Sequence, residues 1–329
     1  MSMNNKTMKS PWNGRNLIGI DLGGTKTAVA LVREGEILRH LHFATRVSEG
    51  AEAIIDDIVH AVHALRNDNA EISSIGIAVA GQVERLSGHV LFAPNLRFHE
   101  LPLKQRIEEK SGLPCFVCND VRAATLGEWC CGAARECANF LCLFLGTGIG
   151  AGMVNEGELL EGGANGAGEV GHMLFQWRGR RCSCGGNGCW EAYAGGWGLS
   201  EILSEKTKSE PTRASSLLHH AAGMPLRPEH LSLALADGDS LAREIYEDFL
   251  EALGAGSVSL LHILNPEKLL LGGGLIEGFP QLVKGIETYI HLHSLAIASK
   301  GLQVLRCHLG GAAPLLGAAL VASHAKTGH

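Results

Sequence analysis

The sequence has no excess of basic charge: 28 Lys and Arg stand against 34 Asp and Glu, a formal net charge of −6 with histidine neutral. That balance excludes the bulk electrostatic footprint with which proteins hold nucleic acid or an anionic membrane, so neither is expected as a partner. There is also no apolar run of the roughly 18 to 20 residues that spans a bilayer. The first sixteen residues, MSMNNKTMKSPWNGRN, lack the apolar centre of a secretory signal. The expectation is a cytoplasmic (cytosolic) protein with a disordered tail over residues 1–16. Without an export signal, ten cysteines imply reduced thiols or a metal site rather than a disulfide framework.

Glycine, in contrast, is abundant. It makes up 43 of 329 residues, about 13% and nearly twice the roughly 7% of an average protein. It shows no period of three, which excludes a collagen-like chain, and 46% hydrophobic residues with a mean hydropathy of +0.10 exclude a flexible linker. The length suits about two domains with a large buried core.

Residues 17–32, LIGIDLGGTKTAVALV, read as a strand, a Gly-rich turn and a second strand. Residues 141–154, LCLFLGTGIGAGMV, repeat the pattern about 120 residues later, so the chain reads as internally duplicated. Ser48 caps a predicted helix running to Arg66, with Ile54, Ile55, Ile58, Val62 and Leu65 on its apolar face. Strands are expected at 75–80 and 115–118, with helices at 103–111 and 120–131. Further helices are expected at 198–206, 213–222, 228–236 and 239–263, a strand at 268–271, and an apolar helix at 313–326 packed back against the N-terminal half. Alternating strands and helices imply mixed α/β sheets.

A turn such as Gly23-Gly24-Thr25-Lys26 frees backbone N–H groups, lets the chain approach a ligand closely and adds a hydroxyl and a cation. This suits phosphate oxygens, although a tight hairpin alone accounts for a single turn of this kind. There is no G-x-x-x-x-G-K-[ST] element, and the GTGIGAG stretch runs into an apolar strand rather than a helix, so neither the Walker nor the dinucleotide fingerprint applies. Asp120, between a predicted strand and a predicted helix, reads either as an N-cap or as a general base.

Six segments follow one another in a characteristic order: DLGGTK at Asp21–Lys26, ND at Asn119-Asp120, GTGIGAG at Gly146–Gly152, GEVGH at Gly168–His172, CSCGGNGCWE at Cys182–Glu191 and LLLGGG at Leu269–Gly274. Jointly they resemble the repressor, open-reading-frame and kinase (ROK) family of sugar kinases and regulators. The resemblance runs from about residue 17 to the C-terminus. It implies an α/β, two-lobed actin-like ATPase (ribonuclease H-like) fold with duplicated βββαβα-type domains and a cleft between them. The small lobe would take residues 17–120 and 313–329, and the large lobe residues 121–312.

His172, Cys182, Cys184 and Cys189 supply three thiolates and an imidazole from a Gly-rich loop, a closed tetrahedral set of the structural zinc type, which the resemblance also implies. Cys115, Cys118, Cys130, Cys131, Cys137, Cys142 and Cys307 have no such setting and read as core filling.

The remaining roles are those the resemblance implies. Asp120 takes the proton of a hexose hydroxyl, and Asn95, Asn119, Glu169, His172 and Glu191 contact the sugar. On its own, each Glu reads as a solvated surface charge. Asp21 positions Mg2+ through water; Gly23, Gly24, Thr25, Lys26, Gly146, Thr147 and Gly148 hold phosphates; Gly272, Gly273 and Gly274 lie along ATP. The implied activity is phosphorylation at C6, with glucose ahead of N-acetylmannosamine or N-acetylglucosamine, and the implied assembly is a homodimer. A sugar-responsive repressor of the same family needs a helix-turn-helix domain. Sixteen residues with Lys6, Lys9 and Arg15 as the only basic ones are too few to build it.

Overall fold

The structure, a computed structural model, describes residues 12, 14–66 and 71–323. The chain forms two compact units. The first takes in the chain through Glu136, Glu161–Gly166 and the segment from His308 on, and the second Cys137–Leu160 and Ala167–Cys307.

The first unit runs β1 (Asn16–Leu22), β2 (Lys26–Arg33), β3 (Glu36–Ala44), α1 (Ala51–Arg66), β4 (Ile72–Val79), β5 (Gln82–Val83), β6 (Val90–Ala93), β7 (Phe98–Leu101), α2 (Leu103–Ser111), β8 (Cys115–Asn119) and α3 (Asp120–Cys131). The second unit begins with β9 (Phe140–Leu145), β10 (Ile149–Asn155) and β11 (Glu158–Leu159). Helices α4 (Glu191–Ala194), α5 (Gly196–Ser209), α6 (Ser215–Ala221), α7 (Pro228–Ala236) and α8 (Ser240–Leu264) follow. It closes with β12 (Lys268–Gly272), α9 (Gly274–Gly278), α10 (Leu282–His293), α11 (Ala296–Ser299) and β13 (Gln303–Arg306), after which α12 (Ala313–Ser323) returns to the first unit.

Both main sheets follow one plan. Their orders are β3-β2-β1-β4-β8 and β11-β10-β9-β12-β13. In each, a three-stranded antiparallel meander is extended by two strands parallel to the meander's first strand. The duplication read from two Gly turns is therefore a duplication of the whole sheet, with the two turns at equivalent positions.

The apolar run of β1 is explained by cover on both faces. Ile18, Ile20 and Leu22 join Ile54, Ile55, Ile58 and Val62 of α1 in one core, and Leu17 faces Leu315, Leu316 and Leu320 of α12 in another. In the second unit Leu141, Leu143 and Leu145 of β9 pack with apolar side chains of α5, α7, α8 and α10.

Helix α12 lies backbone against backbone. A Cβ on Gly19 or Gly76 would fall 2.0 or 1.8 Å from the carbonyl oxygens of Leu315 and Ala318. One on Gly127 of α3 would meet Ala313 O at 2.2 Å, and one on Gly317 would meet Ala123 O at 1.6 Å. Gly19 thus serves helix packing, although it stands close to the Gly23–Lys26 turn in sequence.

Several expectations are corrected. Ser48 does not cap α1: it sits in a 3-10 turn, and α1 begins at Ala51. Trp12, placed in the disordered tail, is 5% exposed in the α12 core; residues 1–11 and 13 lie outside the described residues, as do residues 324–326 of the expected last helix. The first unit does not stop at residue 120, because α3 packs on α12. It also takes back Glu161–Gly166, where buried Arg122 donates to Asn165 O (2.5 Å), Glu161 O (3.3 Å) and the Asn165 side chain, and Asn165 Nδ2 donates to Val83 O (2.8 Å). Among the described residues no helix is long and apolar enough to cross a membrane.

Gly317→Ala should lower stability by about 1–3 kcal/mol or more, since the methyl group meets a main-chain carbonyl that neither helix can withdraw. Gly311→Ala, with nothing within 4 Å, is the control and should change little. Chemical denaturation of both variants checks this; equal midpoints would contradict the packing account.

Candidate active site

In an α/β sheet, ligands meet the carboxyl ends of parallel strands. Three such ends lie side by side in the first unit. Strand β1 ends in the Asp21–Lys26 turn, β4 in Gly81, and β8 in Asn119-Asp120, with Leu22 opposite Val79 and Val79 opposite Asn119. The turn after β1 is closed by Gly23 N–H donating to Lys26 O (3.2 Å) and by Thr45 Oγ1 donating to Gly23 O (2.7 Å). Thr25 and Lys26 are exposed at its tip.

Asn95 is brought to the same place. A Cβ on Gly24 would lie 2.6 Å from Asn95 O and one on Gly81 would lie 2.7 Å from Ala93 Cβ, so the segment carrying Asn95 rests on both turns. Asn119, not Asp120, is the cap of α3: its Oδ1 accepts the Arg122 N–H at 3.2 Å, while its Nδ2 donates to Gly81 O at 3.3 Å. Asp120 is the first helical residue, where backbone N–H groups favour an anion.

Asp21 and Asp120 feel each other. Burial, reinforced by the charge of Asp120 and opposed by Lys26, pushes the Asp21 carboxyl from 3.8 up to about 6. The pair is a region of concentrated negative charge beside a Gly-rich turn, which suits a divalent cation with phosphate.

The second unit assembles the other predicted residues. Strand β9 ends in the Gly146-Thr147-Gly148 turn, and strand β12 ends in Gly272-Gly273-Gly274. Gly273 has φ +92°, and a Cβ there would lie 2.5 Å from Leu145 O, so the second turn rests on the end of β9, directly before the first. The N-terminus of α5 holds the first of them, Gly196 N–H donating to Gly146 O (2.9 Å) and Trp197 N–H to Thr147 O (3.0 Å).

His172, Cys182, Cys184 and Cys189 converge, their ligand atoms all within 4.8 Å of one another. Cys184 Sγ lies 3.7 Å from Cys189 Sγ, and Cys182 Sγ lies 3.7 Å from His172 Nδ1. A tetrahedron of zinc ligands with Zn–S near 2.3 Å has edges of about 3.8 Å, so the donor set fits a closed four-coordinate metal. The loop is tied by Cys182 N–H to Gly186 O (2.9 Å) and anchored by Trp190, which is fully buried against Gly256 and donates to Ala252 O (2.8 Å).

The two glutamates differ. Glu169 is exposed, and its carbonyl accepts the His172 N–H (3.1 Å). Glu191 is 8% exposed rather than a solvated charge; its oxygens accept from Ile149 N–H (2.8 Å) and Trp197 Nε1–H (2.7 Å). Trp197 and Arg122 carry no sequence motif, and their polar partners lie several residues to tens of residues away along the chain.

Two copies of this sheet plan, each with a Gly-rich turn in its first hairpin, define the actin-like ATPase fold. The sequence matches the ROK family over residues 17–325, and the chain belongs to that family. It is 37% identical over 263 residues to a glucokinase of Streptomyces coelicolor, covering 79% of this chain and 82% of that one. It is 32% identical over 261 residues to a putative xylose repressor of Caldicellulosiruptor sp., covering 78% and 65%. Among solved structures it is similar to a ROK family glucokinase from Streptomyces griseus in complex with glucose and AMPPNP, with a TM-score of 0.77, 34% identity and coverage of 93% and 99%.

The raised Asp21 has a signed consequence. A carboxyl whose folded value exceeds its unfolded one adds stability that is complete below about pH 4 and is lost as pH rises through about 6. Asp21→Asn should therefore gain on the order of 2 kcal/mol relative to the parent protein between about pH 4 and pH 7.5 in metal-free buffer. Denaturant melts at the two pH values measure it, and parallel pH dependences would contradict the assignment.

Proposed function

We propose that this chain transfers the γ-phosphoryl group of ATP to the C6 hydroxyl of glucose. The observation that carries the reading is Asp120 at the first turn of α3, beside Asp21 and the Gly23–Lys26 turn, in a chain of the ROK family with glucokinase relatives.

Phosphoryl transfer to an alcohol needs an oriented hydroxyl, a proton acceptor and charge to hold the moving group. Asp120 accepts the C6 hydroxyl proton as that oxygen bonds to phosphorus and the bond to ADP breaks. Asn119, already fixed by Arg122 N–H and Gly81 O, donates its remaining amide hydrogen to a neighbouring hydroxyl, and Asn95 makes a further sugar contact. Glu169 and Glu191 accept from other hydroxyls. The backbone of Gly23, Gly24, Gly146 and Gly148, with Thr25, Thr147 and Lys26, receives phosphate oxygens, and Gly272–Gly274 line the nucleotide.

Asp21 would hold Mg2+, which would supply counter-charge for the phosphates and for the two carboxylates. Cys182, Cys184, Cys189 and His172 through Nδ1 hold a structural Zn2+, which supplies rigidity to an otherwise irregular loop. Nε2 of His172 is left to donate to the sugar. The reading extends to a cytosolic homodimer acting on small molecules.

A coupled assay of ADP release over glucose, N-acetylmannosamine, N-acetylglucosamine and fructose tests the substrate, with glucose expected to give the highest kcat/KM. Asp120→Asn should lower kcat by about a thousand-fold or more while glucose affinity stays within a few-fold. Activity close to the parent's would remove Asp120 from the mechanism.

Cys184→Ser should lose zinc and glucose affinity together, by metal analysis and calorimetry. Full glucose affinity in the metal-free protein would end the orienting role of the loop.

A further inference from the structure

A carboxylate as buried as that of Glu191 needs donors for both oxygens. One is supplied by the main chain at Ile149, the other by a single side chain, the indole of Trp197 at 2.7 Å. Around Oε2 the site is closed: Cβ atoms on Gly148 and Gly171 would fall 2.3 and 3.1 Å from it. Gly148 belongs to the Thr147 turn and Gly171 directly precedes His172. Oε1 is less closely packed by these glycines, and Trp197 Nε1 is the side-chain donor that holds it.

Trp197 also reaches the other ligand region. Its own N–H donates to Thr147 O at 3.0 Å, next to the bond from Gly196 N–H to Gly146 O. One residue thus touches the Gly146–Gly148 turn through its main chain and Glu191 through its side chain.

We propose that Trp197 is a positioning residue for the sugar site, its indole N–H setting the orientation in which Glu191 accepts a hexose hydroxyl while its main chain keys that carboxylate to the turn that takes phosphate. This rests on the reading of Glu191 as a sugar contact. Without the indole donor, Glu191 keeps its charge and loses its direction, so sugar binding weakens. The nucleotide turn, held by main-chain bonds, does not change.

Trp197→Phe removes the N–H and keeps a ring. A second variant with 3-benzothienylalanine at position 197 keeps the bicyclic shape, replaces N–H by sulfur and decides the matter should the Phe variant fold poorly. Each should raise the glucose KM about ten-fold, with the ATP KM, kcat and bound zinc per chain within about two-fold of the parent. In a Glu191→Gln background Trp197→Phe should add no further change in glucose KM, because the two side chains act as one unit.

A glucose KM within two-fold of the parent in both position-197 variants, with Glu191→Gln impaired, overturns the role of Trp197 and leaves that of Glu191. Parallel losses of glucose affinity, ATP affinity and zinc would show Trp197 to be structural only, and also overturn it. An unchanged glucose KM in Glu191→Gln overturns both readings.

Discussion

Two carboxylates held at the carboxyl ends of parallel strands in one sheet form the constraint around which the first unit is arranged. Asp21 closes β1 and Asp120 follows β8, with β4 between them, and their mutual repulsion adds to burial in raising Asp21. A fold does not keep such a pair for stability, since ionisation of Asp21 at neutral pH works against it. Such a pair suits a cation with phosphate, and the adjacent Gly23–Lys26 turn offers N–H groups, a hydroxyl and an ammonium. Asn119 secures the geometry by joining the α3 cap to Gly81, so Asp120 sits on a helix start that is itself bonded to the segment after the neighbouring strand.

The second unit meets a different demand with the same sheet plan. Its Gly146–Gly148 turn replaces the first unit's acidic turn. Its irregular loop carries a cluster of four possible metal donors and is anchored by the buried Trp190. Glu191 follows directly from that anchor, two residues after Cys189. On the proposed reading, a polar sugar, which needs several fixed hydrogen-bonding groups, would be met by polar side chains tied to a metal cluster and to main chain.

Much of this was legible in the sequence. Helices α2, α3 and α7 fall at their expected residues because an apolar face with Gly or Pro punctuation marks them, and both hairpins read directly from apolar runs around glycines. The grouping of His172, Cys182, Cys184 and Cys189 was legible from their spacing and the Gly-rich loop that carries them, and these four side chains do converge. Strand β3 was not, because it is a largely exposed edge whose inward face is only partly buried, and β5–β7, α9, α11 and β13 are too short for a periodic signal. The roles of Gly19, Gly76 and Gly127 were hidden because the carbonyls they make room for belong to α12, at the other end of the chain. Glu191 read as a surface charge because its burial depends on Ile149 and Trp197, neither of which announces a carboxylate partner.

The glycine excess therefore has two causes. Some glycines form the turns and the Cys/His loop to which the proposed function gives phosphate and metal, and others let α12 lie directly on the sheet and on α3. The central claim concerns the first group and the carboxylates beside it: that glucose and ATP react here at C6 with Asp120 as base. Two-dimensional 31P–1H correlation spectroscopy of the product tests it most directly. The account predicts that the parent protein yields glucose 6-phosphate as the product and that Asp120→Asn yields no detectable phosphoester. Phosphate on another carbon, or the same ester formed at a comparable rate by the variant, would contradict it.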